Sequence, residues 1–198
     1  MRHLLNELFT RHSAIVALVL VGAFVGLLVA EGRPAMCKSG FGLWSAAWTS
    51  CTSQNLLDPY SVTHVLHGVI FFWLLQPLAG RVSLPWRMIA AMALEIGWEL
   101  LENSPAVIAR YRQDTAALDY TGDSIINAVG DLASAIVGFA IASRFSWKVA
   151  VVLFVVLEVW LLWAIRDNLT LNVLMLVQPN DAIRDWQLSG LGLPLPPR

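Results

Sequence analysis

The chain has 198 residues, 57% hydrophobic and only 14% charged, with a formal net charge of −1. An ordinary soluble domain carries roughly 25% charged residues, so this composition excludes one, and near-neutrality without a Lys/Arg run excludes a nucleic-acid surface or a polybasic lipid patch. The length suits one membrane domain, residues 1–198, of about five spanning helices with short loops, since each span needs about 20 residues.

The first apolar stretch, 14–30, follows a short basic head with Arg2 and Arg11. It exceeds the ~7–15-residue core of a secretory signal and reads as a retained anchor; cleavage near the small residues around Ala30 is the alternative. The outer loop 31–58 contains Cys37 and Cys51. The two would form a disulfide only in an oxidising compartment, and two unpaired thiols are the other reading.

A second span, 59–78, opens at Asp58-Pro59, an N-cap residue followed by a proline suited to the first helical position. The third, 85–103, starts at Pro85 and stops before Ser104, which Pro105 biases away from helix. Beyond a second outer loop, 104–122, come spans at 123–143 and 147–165. Segment 169–177 is too short to cross and reads as an interfacial helix. The tail 178–198, with Pro194, Pro196 and Pro197, is expected to be loosely ordered. Basic inner loops and the basic head place the N-terminus in the cytoplasm and the C-terminus outside.

Ionisable residues interrupt these apolar helices. Glu95, Glu99 and Glu102 recur at i, i+4 and i+7; Asp123, Asn127 and Asp131 recur at i, i+4 and i+8; His64 and His67 share a face. At 1.5 Å per residue, His67, Glu95 and Asp131 each lie about 12 Å inside helix ends on the same side of the membrane, and Glu158 lies at a similar depth. The inner halves contain almost nothing ionisable, which suits a cavity open to one face rather than a continuous proton wire. Each carboxylate in hydrocarbon costs about 2.5–3.5 kcal/mol on insertion scales, so the layer needs compensation. Three sources are open: a divalent cation held by His and carboxylate ligands, protons retained on desolvated carboxylates, or water together with Arg110, Arg112 or Arg166. A lone His64 or Asn127 is adequately explained as an interhelical hydrogen bond; a whole acidic layer is not. The Trp residues, such as Trp44, Trp86 and Trp147, read as interfacial anchors.

The stretches Asp58-Pro59-Tyr60-Ser61-Val62-Thr63-His64-Val65-Leu66-His67-Gly68, Trp98-Glu99-Leu100-Leu101-Glu102-Asn103-Ser104-Pro105, Tyr120-Thr121-Gly122-Asp123-Ser124 and Arg166-Asp167-Asn168-Leu169-Thr170-Leu171-Asn172 resemble an alphaproteobacterial inner-membrane family known only as a domain of unknown function. Members usually carry Cys-x-Cys-Gly in the first outer loop, where this chain reads Cys37-Lys38-Ser39-Gly40. More distantly, His67, Glu99 and Asp123 with Asn127 and Gly130 are similar to the His, Glu and Asp-x-x-x-Asn-x-x-Gly succession of VanZ-like membrane proteins, which are associated with envelope phenotypes. That resemblance implies a site and the bacterial inner membrane, and no particular reaction.

The expected fold is therefore all-α, an integral membrane bundle of about five spans with a short C-terminal interfacial helix. Its expected function is a lipid- or envelope-directed enzyme or binder that uses metal or acid–base chemistry. His67, Glu99, Asp123 and Asp131 are the candidate catalytic groups, and His67, Glu99 and Asp131 the candidate ligands of a divalent metal ion. His64, Glu95, Glu102, Asn127 and Glu158 support them, and Arg110, Arg112 and Arg166 are candidates for an anionic head group. The partners expected are the lipid bilayer and a lipid or lipid-linked substrate; no protein partner is indicated. The alternative is a non-catalytic scaffold or assembly subunit whose polar layer packs helices.

Overall fold

The computed structural model describes residues 7–117 and 119–190, and all its regular elements are helical apart from one isolated bridge between Trp44 and Leu57. The helices are α1 (Arg11–Ala30), α2 (Ser61–Leu74), a 3-10 turn (Gln76–Leu78), α3 (Leu84–Glu102), α4 (Pro105–Asp114), α5 (Ile125–Ala142), α6 (Trp147–Ile165), α7 (Leu169–Val177) and α8 (Asp181–Gly190). Among the described residues, four helical segments are long and apolar enough to cross a membrane: Arg11–Ala30, Ser61–Leu78, Ile125–Ala142 and Trp147–Ile165. The remaining long helix, α3, has 19 residues but carries Arg87, Glu95, Glu99 and Glu102.

Local chemistry sets most of the boundaries. Thr10 and Ser13 cap α1 reciprocally, each side chain taking the other's backbone N–H. Ser104, Ser124 and Asn168 cap α4, α5 and α7 by accepting from the backbone N–H three residues on. At α2 the helix proper starts at Ser61, two residues beyond the expected Pro59. Asp58 still receives the exposed start, accepting from the Tyr60 N–H at 2.7 Å and the Ser61 N–H at 3.3 Å. α5 likewise starts at Ile125, with Asp123 left in the preceding loop. The loop 104–122 contains α4, and the tail is helical from Asp181 to Gly190; the prolines at 194, 196 and 197 lie outside the described residues.

The core centres on α5, which packs most extensively against α2 and also meets α3 and α1. Two glycines make this possible. A Cβ at Gly68 would collide with the Ala135 carbonyl, and one at Gly138 with the Val65 carbonyl, so the α2 and α5 backbones touch directly. By contrast α6 is only 17% buried where α5 is 56% buried. Its outward surface, including Val152, Val155, Val156, Val159 and Trp163, is apolar and exposed, and α1 presents Leu18, Val19 and Val29 in the same way. Such continuous apolar faces are what a bilayer covers.

The loop between α1 and α2 folds across the helix ends. Cys37 and Cys51 are bonded, with Cα atoms 5.4 Å apart. The Pro34 and Ser53 carbonyls accept from the backbone N–H groups of Ile125 and Ser124, so the loop satisfies the start of α5. It also presses the Leu56 carbonyl onto Gly130, where any Cβ would clash.

Candidate functional site

His64 and His67 stand in the first two turns of α2, Glu95 and Glu99 in the last two turns of α3, and Asn127 and Asp131 in the first two turns of α5; all six are buried. From the observed helix ends, His67 and Asp131 lie about 9 Å deep and Glu95 about 10.5 Å, slightly shallower than expected because α2 and α5 start two residues later and α3 ends one residue earlier.

His64 is at the centre. Its Nδ1 is 2.5 Å from Glu95 Oε1 and 3.3 Å from Glu99 Oε1, and its Nε2 is 3.9 Å from Asp131 Oδ2. His67 Nδ1 is 3.1 Å from Glu95 Oε2. The two imidazoles meet edge to face at 5.0 Å, and Trp98 closes the far side of His67 at 5.5 Å. One nitrogen holds at most one proton, so His64 Nδ1 serves Glu95 and leaves Glu99 beside it without a hydrogen bond. Both Glu99 oxygens, Asp131 Oδ1 and Asn127 Nδ2 are buried and make no hydrogen bond within the protein. Buried polar atoms in folded proteins are nearly always satisfied, so the unsatisfied Glu99 carboxylate beside His64 points to a further partner.

A second network surrounds this centre on the side of the helix ends. Asn103, the C-cap of α3, donates to Asp123 Oδ2 at 2.9 Å and accepts from the Asp123 N–H at 2.6 Å. The Tyr120 hydroxyl donates to Asp123 Oδ1 at 3.1 Å. The Tyr111 hydroxyl is 2.8 Å from Glu102 Oε1 and 2.7 Å from Asn172 Oδ1. Asp167 accepts from the Asn168 N–H at 2.9 Å and the Tyr60 hydroxyl at 3.2 Å. Burial pushes its carboxyl up to about 7 despite those bonds. Burial and the nearby Asp123 charge also raise Asp58 above the usual carboxylate range, against the N–H groups of Ser53, Tyr60 and Ser61.

The structure thus brings together His64, His67, Glu95, Glu99 and Asp131, and ties Asp123 and Glu102 into the surrounding network. Among the described residues, ligand atoms within 4.8 Å of one another form the groups His64, His67, Glu95 and His64, Glu99, Glu102. The trio His67, Glu99 and Asp131 is not such a group, because His64 stands between its members. Glu158 acts locally and caps α7, its two oxygens accepting from the Leu169 N–H at 2.9 Å and the Thr170 N–H at 3.0 Å. Arg110 pairs with Asp114 at 2.8 Å, and Arg166 donates to the Trp186 carbonyl at 2.9 Å while lying over its ring. Arg112 is exposed and lines a cavity of about 560 Å³ with Arg33, Asn103 and Ser104.

Sequence reasoning missed Asn103, Tyr111, Tyr120 and Arg33 as members of this region. Asn103 had a readable signal, since it continues the α3 stripe at Glu99 plus four. Arg33 had none; its guanidinium donates to the Thr121 and Asp123 carbonyls across 88 and 90 residues of sequence.

Fold and site together define a protein that, among the described residues, is helical, with helices long and apolar enough to cross a membrane packed around a buried histidine–carboxylate centre. The chain belongs to the family described as "Protein of unknown function (DUF2585)", whose model matches residues 28–189. It is similar to the UPF0314 protein of Brucella anthropi, 42% identical over 179 residues, covering 90% of this chain and 91% of that one. It is equally similar to those of Sphingopyxis alaskensis (42% over 183 residues, 91% and 97% covered) and Paracoccus denitrificans (42% over 187 residues, 92% and 96% covered). No solved structure matches.

Proposed function

We propose that this chain is a five-span inner-membrane protein whose histidine–carboxylate centre serves a lipid- or envelope-directed enzyme or binder. The observation that carries this reading is the surplus of acid. Glu99 and Asp131 are buried beside His64 with oxygens that no protein group satisfies, a costly state that helix packing does not require. In this reading α3 is the fifth span, tolerated in the bilayer because its carboxylates face histidines inside the bundle. His64 and His67 supply the titratable nitrogens, with Glu95 orienting both, and Glu99, Asp123 and Asp131 complete the acid–base set. The centre lies in the outer half, the N-terminus is cytoplasmic, and the loop 31–58 is periplasmic, where its disulfide would be stable. The cavity lined by Arg33 and Arg112 suits an anionic head group, and Asn103 joins its wall to Asp123. The likeness of His67, Glu99 and Asp123 to the VanZ-like succession is the support for an envelope role.

One observation favours the scaffold alternative: Asp58 and Glu158 are already engaged by backbone N–H groups that fasten loops to helix starts, and the Asp123 carboxylate by the Asn103 amide and the Tyr120 hydroxyl. The two readings separate in a coupled mutant series of His67→Ala, Glu99→Gln and Asp131→Asn, singly and in pairs, scored by complementation of a deletion strain at measured protein abundance. A functional centre predicts that each single change abolishes complementation at normal abundance, and that pairs cost much less than the sum of singles. Losses that merely track abundance make the layer structural.

A further inference from the structure

We infer that His64, His67 and Glu95 hold one divalent transition-metal ion of the zinc class, with Glu99 as the adjacent second carboxylate and Asp131 as the outer group orienting His64. This names the chemistry of the centre proposed above and rests on that reading. The donor set comes first. Two imidazole nitrogens with carboxylate oxygens suit zinc, manganese or iron, whereas calcium and magnesium take oxygen ligands almost exclusively.

Geometry agrees. Donors bound at about 2.0–2.1 Å around a tetrahedral ion stand about 3.3 Å apart. Within the trio His67 Nδ1 and Glu95 Oε2 are 3.1 Å apart and the ligand atoms all lie within 4.8 Å; His64 Nδ1, 2.5 Å from Glu95 Oε1 and 3.3 Å from Glu99 Oε1, exchanges its hydrogen bond to Glu95 for the ion. Both histidines offer the same nitrogen, Nδ1, to Glu95. Coordination through Nδ1 puts the remaining proton of His64 on Nε2, which is 3.9 Å from Asp131 Oδ2. A carboxylate hydrogen-bonded behind a ligating histidine is the usual arrangement for fixing its tautomer and ring direction, and Asp131 stands just outside that reach.

An independent observation points to a ligand. Glu99 is fully buried and neither of its oxygens accepts a hydrogen bond, although it stands beside the His64 ligand atom. Charge helps explain that acid: around two neutral imidazoles, a divalent cation offsets two of the ionised carboxylates inside an apolar bundle. The other ligand group, His64 with Glu99 and Glu102, is the weaker home, because Glu102 is held by Tyr111 at 2.8 Å.

The test uses full-length protein in detergent, with its purification tag removed, stripped with chelator and titrated with zinc(II) or cobalt(II). The expected result is reversible uptake of one equivalent by the wild type, with visible cobalt bands of a four-coordinate site. Glu95→Gln and His67→Ala should bind less than about a tenth as much, and Asp131→Asn should weaken affinity about 10–100-fold, as for loss of an outer-sphere partner. Folded wild type that takes up no metal overturns the inference, as does uptake indifferent to Glu95→Gln. Failure here is separable from failure of the function above. If no metal binds yet Glu99→Gln abolishes complementation at normal abundance, the centre works by acid–base chemistry and only the metal site falls. If one metal binds at His64, His67 and Glu95 while complementation is untouched, the metal site stands and the functional reading falls.

Discussion

Asp167 illustrates how a single residue can make the stability of this protein depend on pH. Its carboxyl, ordinarily near 3.8, is pushed up to about 7 by burial between α6 and α7. The folded state therefore binds more protons than the unfolded state between those values, so the contribution of Asp167 to stability is greatest at low pH and declines as pH rises through about 7. Wild-type melting temperature in detergent is expected to be lower at pH 8 than at pH 6. Asp167→Asn, which keeps an acceptor for the Asn168 N–H and turns its amide towards the Tyr60 hydroxyl, should reduce that difference. An unchanged pH difference in Asp167→Asn would show that the residue does not titrate in this range.

At the scale of elements, the contact between α2 and α5 decides whether the centre exists, since α2 carries both histidines and α5 carries Asp131. Gly68 and Gly138 bring these backbones together, and a methyl group at either meets a main-chain carbonyl that cannot rotate away. Gly68→Ala and Gly138→Ala should each destabilise the bundle by about 1–3 kcal/mol, the usual cost of overpacking. Both should also separate His64 from Asp131 without touching either. Gly97→Ala on α3, where a Cβ meets nothing within 4 Å, is the control and should leave stability unchanged or slightly raised. Equal melting of all three variants would refute the close approach.

At the scale of the whole molecule, the disulfide-stapled loop ties α1 to the starts of α2 and α5, so all the site-bearing helix ends belong to one side. Reporter fusions after Ser53 and at Arg198 are expected to be active in the periplasm; a cytoplasmic signal at either point rejects the five-span arrangement. Thiol reagents should label Cys37 and Cys51 only after reduction. Opening a closed loop of this size should cost about 3 kcal/mol, seen as a lower melting temperature in reductant.

The apolar runs, the proline and N-cap punctuation and the i, i+4 acidic stripes determined by themselves that this chain is helical, apolar enough for a membrane, and acidic on particular helix faces. Those properties were legible because they depend on residues three or four apart, and helix geometry alone turns such spacing into a face. The centre's internal order was not legible. That His64 rather than His67 meets three carboxylates, and that Glu158 turns to the start of α7, depends on the rotation and approach of separate helices. So does the course of the loop 31–58 over Gly130, with Arg33 reaching the Asp123 carbonyl. The Glu158 cap joins residues 11 and 12 positions apart across a helix break, and the other contacts join residues roughly 30 to 90 positions apart, where sequence spacing carries no angle. Tertiary packing, through the backbone contact at Gly68 and Gly138, decided which of the available polar groups became neighbours.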